Sequence, residues 1–301
     1  LIRGGEILEK AERLTTVVFD KTGTLTRGEP ALTDLQPCGH CDHDQALRLA
    51  ASLEAGSEHP LAEAILRGAR ETGIEPCTVQ GFEAVPGHGV RGQVDGRAVL
   101  FGNRRLMEGA GIDVASVGQD MERFQADGKT AMLLACDGEL AAVIAVADTI
   151  KPEAREAVRS LRAEGVEVVM LTGDNARTAA AIGRALEIDR VIADVLPSDK
   201  ARVIKELQQA GKVVAMVGDG VNDAPALATA DIGIAIGSGS DVAKETGGII
   251  LVRSDVRDVV TGIRLSRATM RTIKRNLFWA FIYNAIGVPI AAFGLLNPII
   301  A

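Results

Sequence analysis

The sequence predicts an α/β protein: a doubly wound parallel sheet, an α+β domain inserted into it, and a C-terminal membrane-helix segment. Three observations carry that expectation. The apolar strand Thr16-Val17-Val18-Phe19 ends on Asp20 and a loop of small residues, DKTGTLT, Asp20 to Thr26. Open parallel sheets bind their ligands at such strand ends. Strand-helix alternation then stops and resumes only around Asp148, leaving about 115 residues, enough for an insert with its own core. From Leu277 to Leu296 twenty residues carry no charge, the length that crosses a bilayer. The expected division is 1–32 and 148–262 for the parallel-sheet domain, 33–147 for the insert, and 263–301 for a basic linker helix and membrane segment.

In chain order, residues 1–10 look like the tail of a helix, and 16–19 the first strand. In the insert, 44–55 and 61–71 have helical periodicity, while 78–82, 89–94, 98–101, 130–134 and 140–146 look like strands. They suggest an antiparallel sheet with helices on one face. Asp148-Thr149-Ile150-Lys151-Pro152 is expected to open a helix, proline suiting a first turn. A strand at 166–171, helices at 176–186 and 198–209, and a strand at 213–217 complete the alternation. Arg264, Arg267, Arg271, Lys274 and Arg275 supply the basic excess of a cytoplasmic flank. Gly287, Pro289 and Pro298 interrupt the apolar run, as in broken membrane helices that mark transport sites.

Composition narrows the class. A hydrophobic content of 47% supplies two cores, and a net charge of −7 with a pI near 5.3 argues against nucleic acid as a partner. Cys38, Cys41, Cys77 and Cys136 are too few in 301 residues for a secreted disulfide scaffold.

The strand ends carry a phosphoryl-transfer chemistry. Asp20 is a carboxylate nucleophile with Thr22, Gly23 and Thr24 offering N–H and hydroxyl donors to a phosphate. Thr172-Gly173-Asp174 stands between a strand and a helix N-terminus suited to an anion. Lys200 is a point charge at the start of the next helix. GDGVNDAPAL, Gly218 to Leu227, sets Asp219, Asn222 and Asp223 among glycines, hard oxygen donors suited to Mg²⁺. Each piece alone could be a cap, a turn or a solvated charge; their order along one chain makes coincidence a poor account.

DKTGTLT, TGD and GDGVNDAPAL resemble the P-type ATPases, cation pumps that form an aspartyl phosphate on a haloacid dehalogenase-like domain. The resemblance implies Asp20 as nucleophile, Mg²⁺ held by Asp20, the Thr22 carbonyl and Asp219, and Thr172, Gly173, Asp174, Lys200, Asn222 and Asp223 around the phosphate. A phosphatase of that fold has a second aspartate where this chain has Thr22. Without that general acid/base the acyl phosphate persists.

In the insert, Ser57-Glu58-His59-Pro60-Leu61, Gly87-His88-Gly89 and Gly102-Asn103 combine a histidine with glycines that let backbone approach a ligand. With Glu54 upstream they resemble the nucleotide-binding domain of heavy-metal P-type ATPases, which implies that Glu54, His59, Gly87, Gly89, Gly102 and Asn103 hold the adenine and ribose of ATP. Tyr283 and Asn284, followed by Pro289, resemble the intramembrane site of the copper pumps. The expected protein is thus a multi-pass membrane Cu⁺ exporter with these domains facing the cytoplasm. Its expected partners are ATP, the transported ion, membrane lipid, and an actuator domain and further helices of the same polypeptide. A Zn²⁺, Cd²⁺ or Cu²⁺ pump, and more distantly a haloacid dehalogenase-type phosphatase, are the alternatives. Cys38-Gly39-His40-Cys41-Asp42-His43 fits neither motif set: its soft ligands suit Zn²⁺ or Cu⁺, and its short spacing equally suits a plain surface loop.

Overall fold

The computed structural model describes residues 2, 4–219, 222–237 and 248–292. The elements are α1 (Gly4–Glu12), β1 (Thr16–Asp20), β2 (Thr26–Pro37), α2 (His43–Glu54), α3 (Pro60–Glu71), β3 (Val79–Val85), β4 (Gly89–Val94), β5 (Arg97–Gly102), α4 (Arg104–Gly109), α5 (Gly118–Ala126), β6 (Thr130–Cys136) and β7 (Glu139–Ile150). They continue with α6 (Ala154–Ala163), β8 (Glu167–Leu171), α7 (Ala176–Leu186), β9 (Arg190–Ile192), α8 (Lys200–Gln209), β10 (Val214–Gly218), α9 (Ala224–Thr229), β11 (Ile232–Ile236), β12 (Ile249–Leu251) and α10 (Arg257–Ala292). One six-stranded sheet runs β12-β11-β10-β1-β8-β9 and a second β2-β7-β6-β5-β4-β3. The chain divides into two compact units, one of residues 1–18, 160–167 and 198–301, the other of 19–159 and 168–197.

In the first unit β10, β11 and β12 pair in parallel, Ala215 opposite Ile232 and Ile234 opposite Ile249. Every residue of β10 and β11 is buried, which is why these strands are unbroken apolar runs rather than alternating ones. Helix α10 packs along α1. Arg267 donates to the carbonyls of Ala11 (3.2 Å) and Leu14 (3.2 Å) at the end of α1, Lys274 reaches Glu12 (2.5 Å), and Arg264 reaches Glu164 (2.9 Å). These cations therefore satisfy helix-end carbonyls and carboxylates within the unit.

The expected membrane segment is not shown: among the described residues no helix is long and apolar enough to cross a membrane, and the expected run to Leu296 extends outside them. The described apolar residues 277–292 form the C-terminal part of α10. Its N-terminal half is the basic stretch just described. Residues 293–301, with Leu296 and Pro298, lie outside the described residues.

In the second unit the antiparallel sheet is framed by the long pair β2 and β7, Thr26 opposite Ile150 and Pro37 opposite Ala142. Residues 33 and 147 fall inside these strands. Helices cover both faces of this sheet, not one. Met132, Leu134, Ile144 and Val146 pack with α2 and α3, whereas the alternate residues Leu133, Ala135, Val143 and Ala145 pack with Leu106, Met107, Met121 and Phe124 of α4 and α5. A strand buried on both faces must be apolar throughout, and residues 140–146 are. The helix expected to open at Asp148 also differs. Lys151 N–H donates to the Leu25 carbonyl (2.9 Å), prolonging the β7 ladder, and α6 begins only at Ala154.

Candidate active site

Asp20 is the last residue of β1 and only 6% exposed. The chain then makes one irregular turn, Lys21–Leu25, in which Thr22 is extended (φ −73°, ψ 129°) and Gly23 left-handed (φ +72°). A Cβ on Gly28 would stand 3.1 Å from the Gly23 backbone, so the loop closes on itself through two glycines. Lys21 is buried in the same turn, 2.8 Å from Asp174 and 3.8 Å from Asp148. Asp148 also accepts from the Thr26 hydroxyl (2.6 Å) and the Gly28 N–H (2.9 Å), and Lys151 Nζ donates to the Gly23 carbonyl (2.9 Å). Lys21, Asp148 and Lys151 are thus supports of the Asp20 loop that sequence reasoning missed. Lys21 was visible only as a letter of DKTGTLT, and Asp148 and Lys151 resembled a helix start.

Thr24 Oγ1 is buried in this loop with no hydrogen-bond partner. Thr172, at the carboxyl end of β8 and 2% exposed, turns its hydroxyl inward to accept from the Asp174 N–H (3.1 Å), and Asn175 caps α7 through the Thr178 N–H (3.0 Å). A Cβ on Gly173 would meet the Val195 carbonyl oxygen at 3.3 Å, which explains the small residue between them.

In the first unit, Asp219 follows β10 directly and is half-buried, Asn222 is exposed, and Asp223 begins α9 fully buried. Lys200, the first residue of α8 and itself buried, lies 2.7 Å from Asp223 Oδ1. A Cβ on Gly218 would fall on Asp223 Oδ2, so the glycine of GDG makes room for a carboxylate. Burial pushes the Asp223 carboxyl above its ordinary range, the Lys200 ammonium opposes that, and the Asp219 charge adds to it. Among the described residues no group of three His, Cys, Asp or Glu side chains is gathered closely enough to hold a metal.

The insert carries its own constellation. Glu54 ends α2, only 6% exposed, with Oε2 buried and unpartnered. Burial raises its carboxyl, while Ser57 and then His59 lower it. His59 caps α3: its Nδ1 accepts from the Leu61 N–H (3.2 Å), which leaves the Nε2 edge exposed as the donor of the neutral ring. Gly89 (φ +146°) and Gly102 are forced by each other's strands, since a Cβ on Gly89 would fall on the Phe101 carbonyl oxygen and one on Gly102 on that of His88. Asn103 ties the loop down, donating to the Gly87 carbonyl (2.9 Å) and accepting from Leu106 N–H (3.1 Å). Gly87 (φ +73°) has open space where a side chain would go. Sequence reasoning also missed Phe82, whose ring lies 3.1 Å from the Cβ position of Gly56 and closes the turn between Glu54 and His59.

Tyr283 stands exposed on α10, and the Asn284 amide donates to its own helix at the Ala280 carbonyl (3.0 Å).

The haloacid dehalogenase-like hydrolase family matches residues 14–231. The whole chain is 51% identical to part of a copper-exporting P-type ATPase of Bacillus subtilis (strain 168) and 52% identical to part of a copper-transporting P-type ATPase of Rhizobium leguminosarum bv. viciae. It spans 38% and 36% of their lengths. Among solved structures, a zinc-transporting PIB-type ATPase in its E2.Pi state superposes with a TM-score of 0.90 at 38% identity, over 99% of this chain and 48% of that one. The catalytic domain of the CPx-ATPase CopB-B superposes with a TM-score of 0.62 at 32% identity, over 87% of this chain and 94% of that one. The chain belongs to the haloacid dehalogenase-like hydrolases and, within them, to the heavy-metal P-type ATPases.

Proposed function

We propose that this chain binds ATP in its insert and transfers the γ-phosphoryl group to Asp20, as the catalytic part of a longer membrane pump that exports Cu⁺. One observation supports this reading above the others. Among the described residues, the buried side-chain atoms left without a hydrogen-bond partner are Thr24 Oγ1, beside Asp20, and Glu54 Oε2, in the nucleotide constellation. Unsatisfied buried polar groups are costly and mark places where a ligand completes the bonding.

In this reading a carboxylate oxygen of Asp20 attacks the γ-phosphorus, the bond to the bridging oxygen breaks, and ADP leaves with that electron pair. Thr24 and Thr172 donate hydroxyls to phosphoryl oxygens, and Lys200, held by Asp223, supplies positive charge. Gly173, Asp174 and Asn222 shape the loops around the phosphate. Asp20, the Thr22 carbonyl and Asp219, whose hard oxygens suit Mg²⁺, are proposed as its ligands, and the ion when bound would neutralise phosphate charge. Glu54 accepts from the exocyclic amine of adenine, His59 lies beside the rings, and Gly87, Gly89, Gly102 and Asn103 shape the ribose side. Phosphorylation is assigned to residues 1–32 and 148–262 and nucleotide binding to residues 33–147.

Copper is supported by the names of the curated relatives at about 50% identity; the zinc-transporting neighbour, at 38%, keeps Zn²⁺ as the second reading. Tyr283 and Asn284 are proposed as neutral oxygen ligands to the transported ion, with domains facing the cytoplasm. Assayed in the pump that contains this chain, ATPase activity rises with Cu⁺ or Ag⁺ under reducing conditions and falls in Asn284→Ala. Stimulation by Zn²⁺ or Cd²⁺ and not by Cu⁺ refutes the copper assignment.

A further inference from the structure

The Cys38-Gly39-His40-Cys41 segment acquires a third thiol through the fold. The Cys38 N–H donates to the Ala141 carbonyl (2.7 Å), extending β2 beside β7, and the chain then turns so that the Cys41 N–H approaches the Cys38 carbonyl (3.4 Å). Cys136 stands at the neighbouring β6–β7 hairpin, paired with Glu139 across Asp137 (φ +51°) and Gly138 (φ +84°), a two-residue turn of the primed type. Asp137 is bound in turn to Ala98, its carboxylate accepting from the Ala98 N–H (2.9 Å) and its own N–H donating to the Ala98 carbonyl (2.8 Å), which brings Arg97 to the same corner. Cys38, Cys41, Cys136 and Arg97 line one pocket of 290 Å³. Nearly 100 residues separate the first and third of these thiols, so no sequence motif records the group.

We propose that this pocket is a soft monovalent cation site in which Cys41 and Cys136 bind one Cu⁺ or Ag⁺ as a two-coordinate thiolate pair, with Arg97 balancing the negative charge that two thiolates leave on the complex. Soft sulfur ligands select such ions, and a two-coordinate ion does not need the three converging ligands that are absent among the described residues. A cysteine sulfur swings between three staggered positions, so thiols on the walls of one pocket can turn toward an ion held there. The site lies at the Arg97 end of β5, and Gly102 and Asn103 of the nucleotide constellation lie at the other. It is therefore separate from ATP binding and from the transported-ion ligands proposed above.

The test is anaerobic titration of the reduced chain with Cu⁺ in competition with bathocuproine disulfonate, repeated with Ag⁺. One equivalent is expected, weakened at least about 100-fold in the Cys41→Ser, Cys136→Ser double variant and unchanged in Cys77→Ser, with two sulfur neighbours in the copper X-ray absorption spectrum. Equal affinity in the double variant, or Zn²⁺ displacing Cu⁺, overturns the proposal. Should the double variant fail to fold, alkylation of the unaltered chain decides: Ag⁺ must protect Cys41 and Cys136 and leave Cys77 reactive, and equal protection or none overturns it.

Discussion

Replacing Lys200 by methionine isolates the energetics of the pair it makes with Asp223. Methionine keeps the stem and removes the ammonium that lies 2.7 Å from a carboxylate only 1% exposed. Breaking a buried ion pair on one side costs about 3–5 kcal/mol, because the remaining charge is left without compensation. At roughly 2–4 °C per kcal/mol this is on the order of 10 °C in the thermal midpoint. The pH dependence follows from the direction of the Asp223 shift. Burial raises its carboxyl and Lys200 opposes the rise, so the Lys200→Met protein has the higher folded-state value. A group raised on folding binds more protons folded than unfolded, so stability falls as pH rises from the unfolded value through the folded one. The deficit of Lys200→Met is therefore largest at neutral and alkaline pH and shrinks on acidification toward the ordinary carboxylate range. Replacing both partners, as Lys200→Met with Asp223→Asn, recovers much of the loss, since no buried charge remains. Circular dichroism melts of the four proteins across pH measure the cycle. A Lys200→Met cost below about 1 kcal/mol, the scale of an exposed pair, or strict additivity with Asp223→Asn, refutes the reasoning.

Two further perturbations probe the insert. Gly89→Ala puts a Cβ onto the Phe101 carbonyl at φ +146° and is expected to cost about 3 kcal/mol or more, whereas Gly87→Ala, with open space around it, costs about 1 kcal/mol; urea unfolding compares them, and equal costs contradict the close strand approach. His59→Ala weakens ATP binding by about 1–2 kcal/mol, and because burial raises Glu54, affinity falls on acidification from above the ordinary carboxylate range and loses that dependence in Glu54→Gln; calorimetry that finds neither effect places adenine elsewhere.

Much of the fold was legible where local and tertiary demands agree. The strand 89–94 and the helix 176–186 coincide with β4 and α7 because glycine and an asparagine cap mark their starts. Strand β2 was missed since Gly28, Pro30 and Pro37 argue locally against a strand; as the edge of its sheet it tolerates proline, with register shifts near Pro30 and Thr33. Helices α4 and α5 have six and nine residues, too short for periodicity to stand out, and their absence from the sequence reading left one sheet face bare. The placement of Asp20, Thr172 and Asp219 at strand ends, and of Lys200 at a helix start, was legible because strand ends and motif strings coincide. The Lys21–Asp174 pair was not, since it joins loops distant in sequence, nor was the fit of Gly218 against Asp223, which is a matter of side-chain packing that the motif string does not record.

Incubating the chain with Mg²⁺ and γ-labelled ATP tests the central claim most directly. The account predicts an acid-stable, hydroxylamine-labile label mapped by mass spectrometry to Asp20 and absent from Asp20→Asn, which still binds ATP because the nucleotide residues lie in the insert. A label that survives Asp20→Asn, or that resists hydroxylamine, contradicts it.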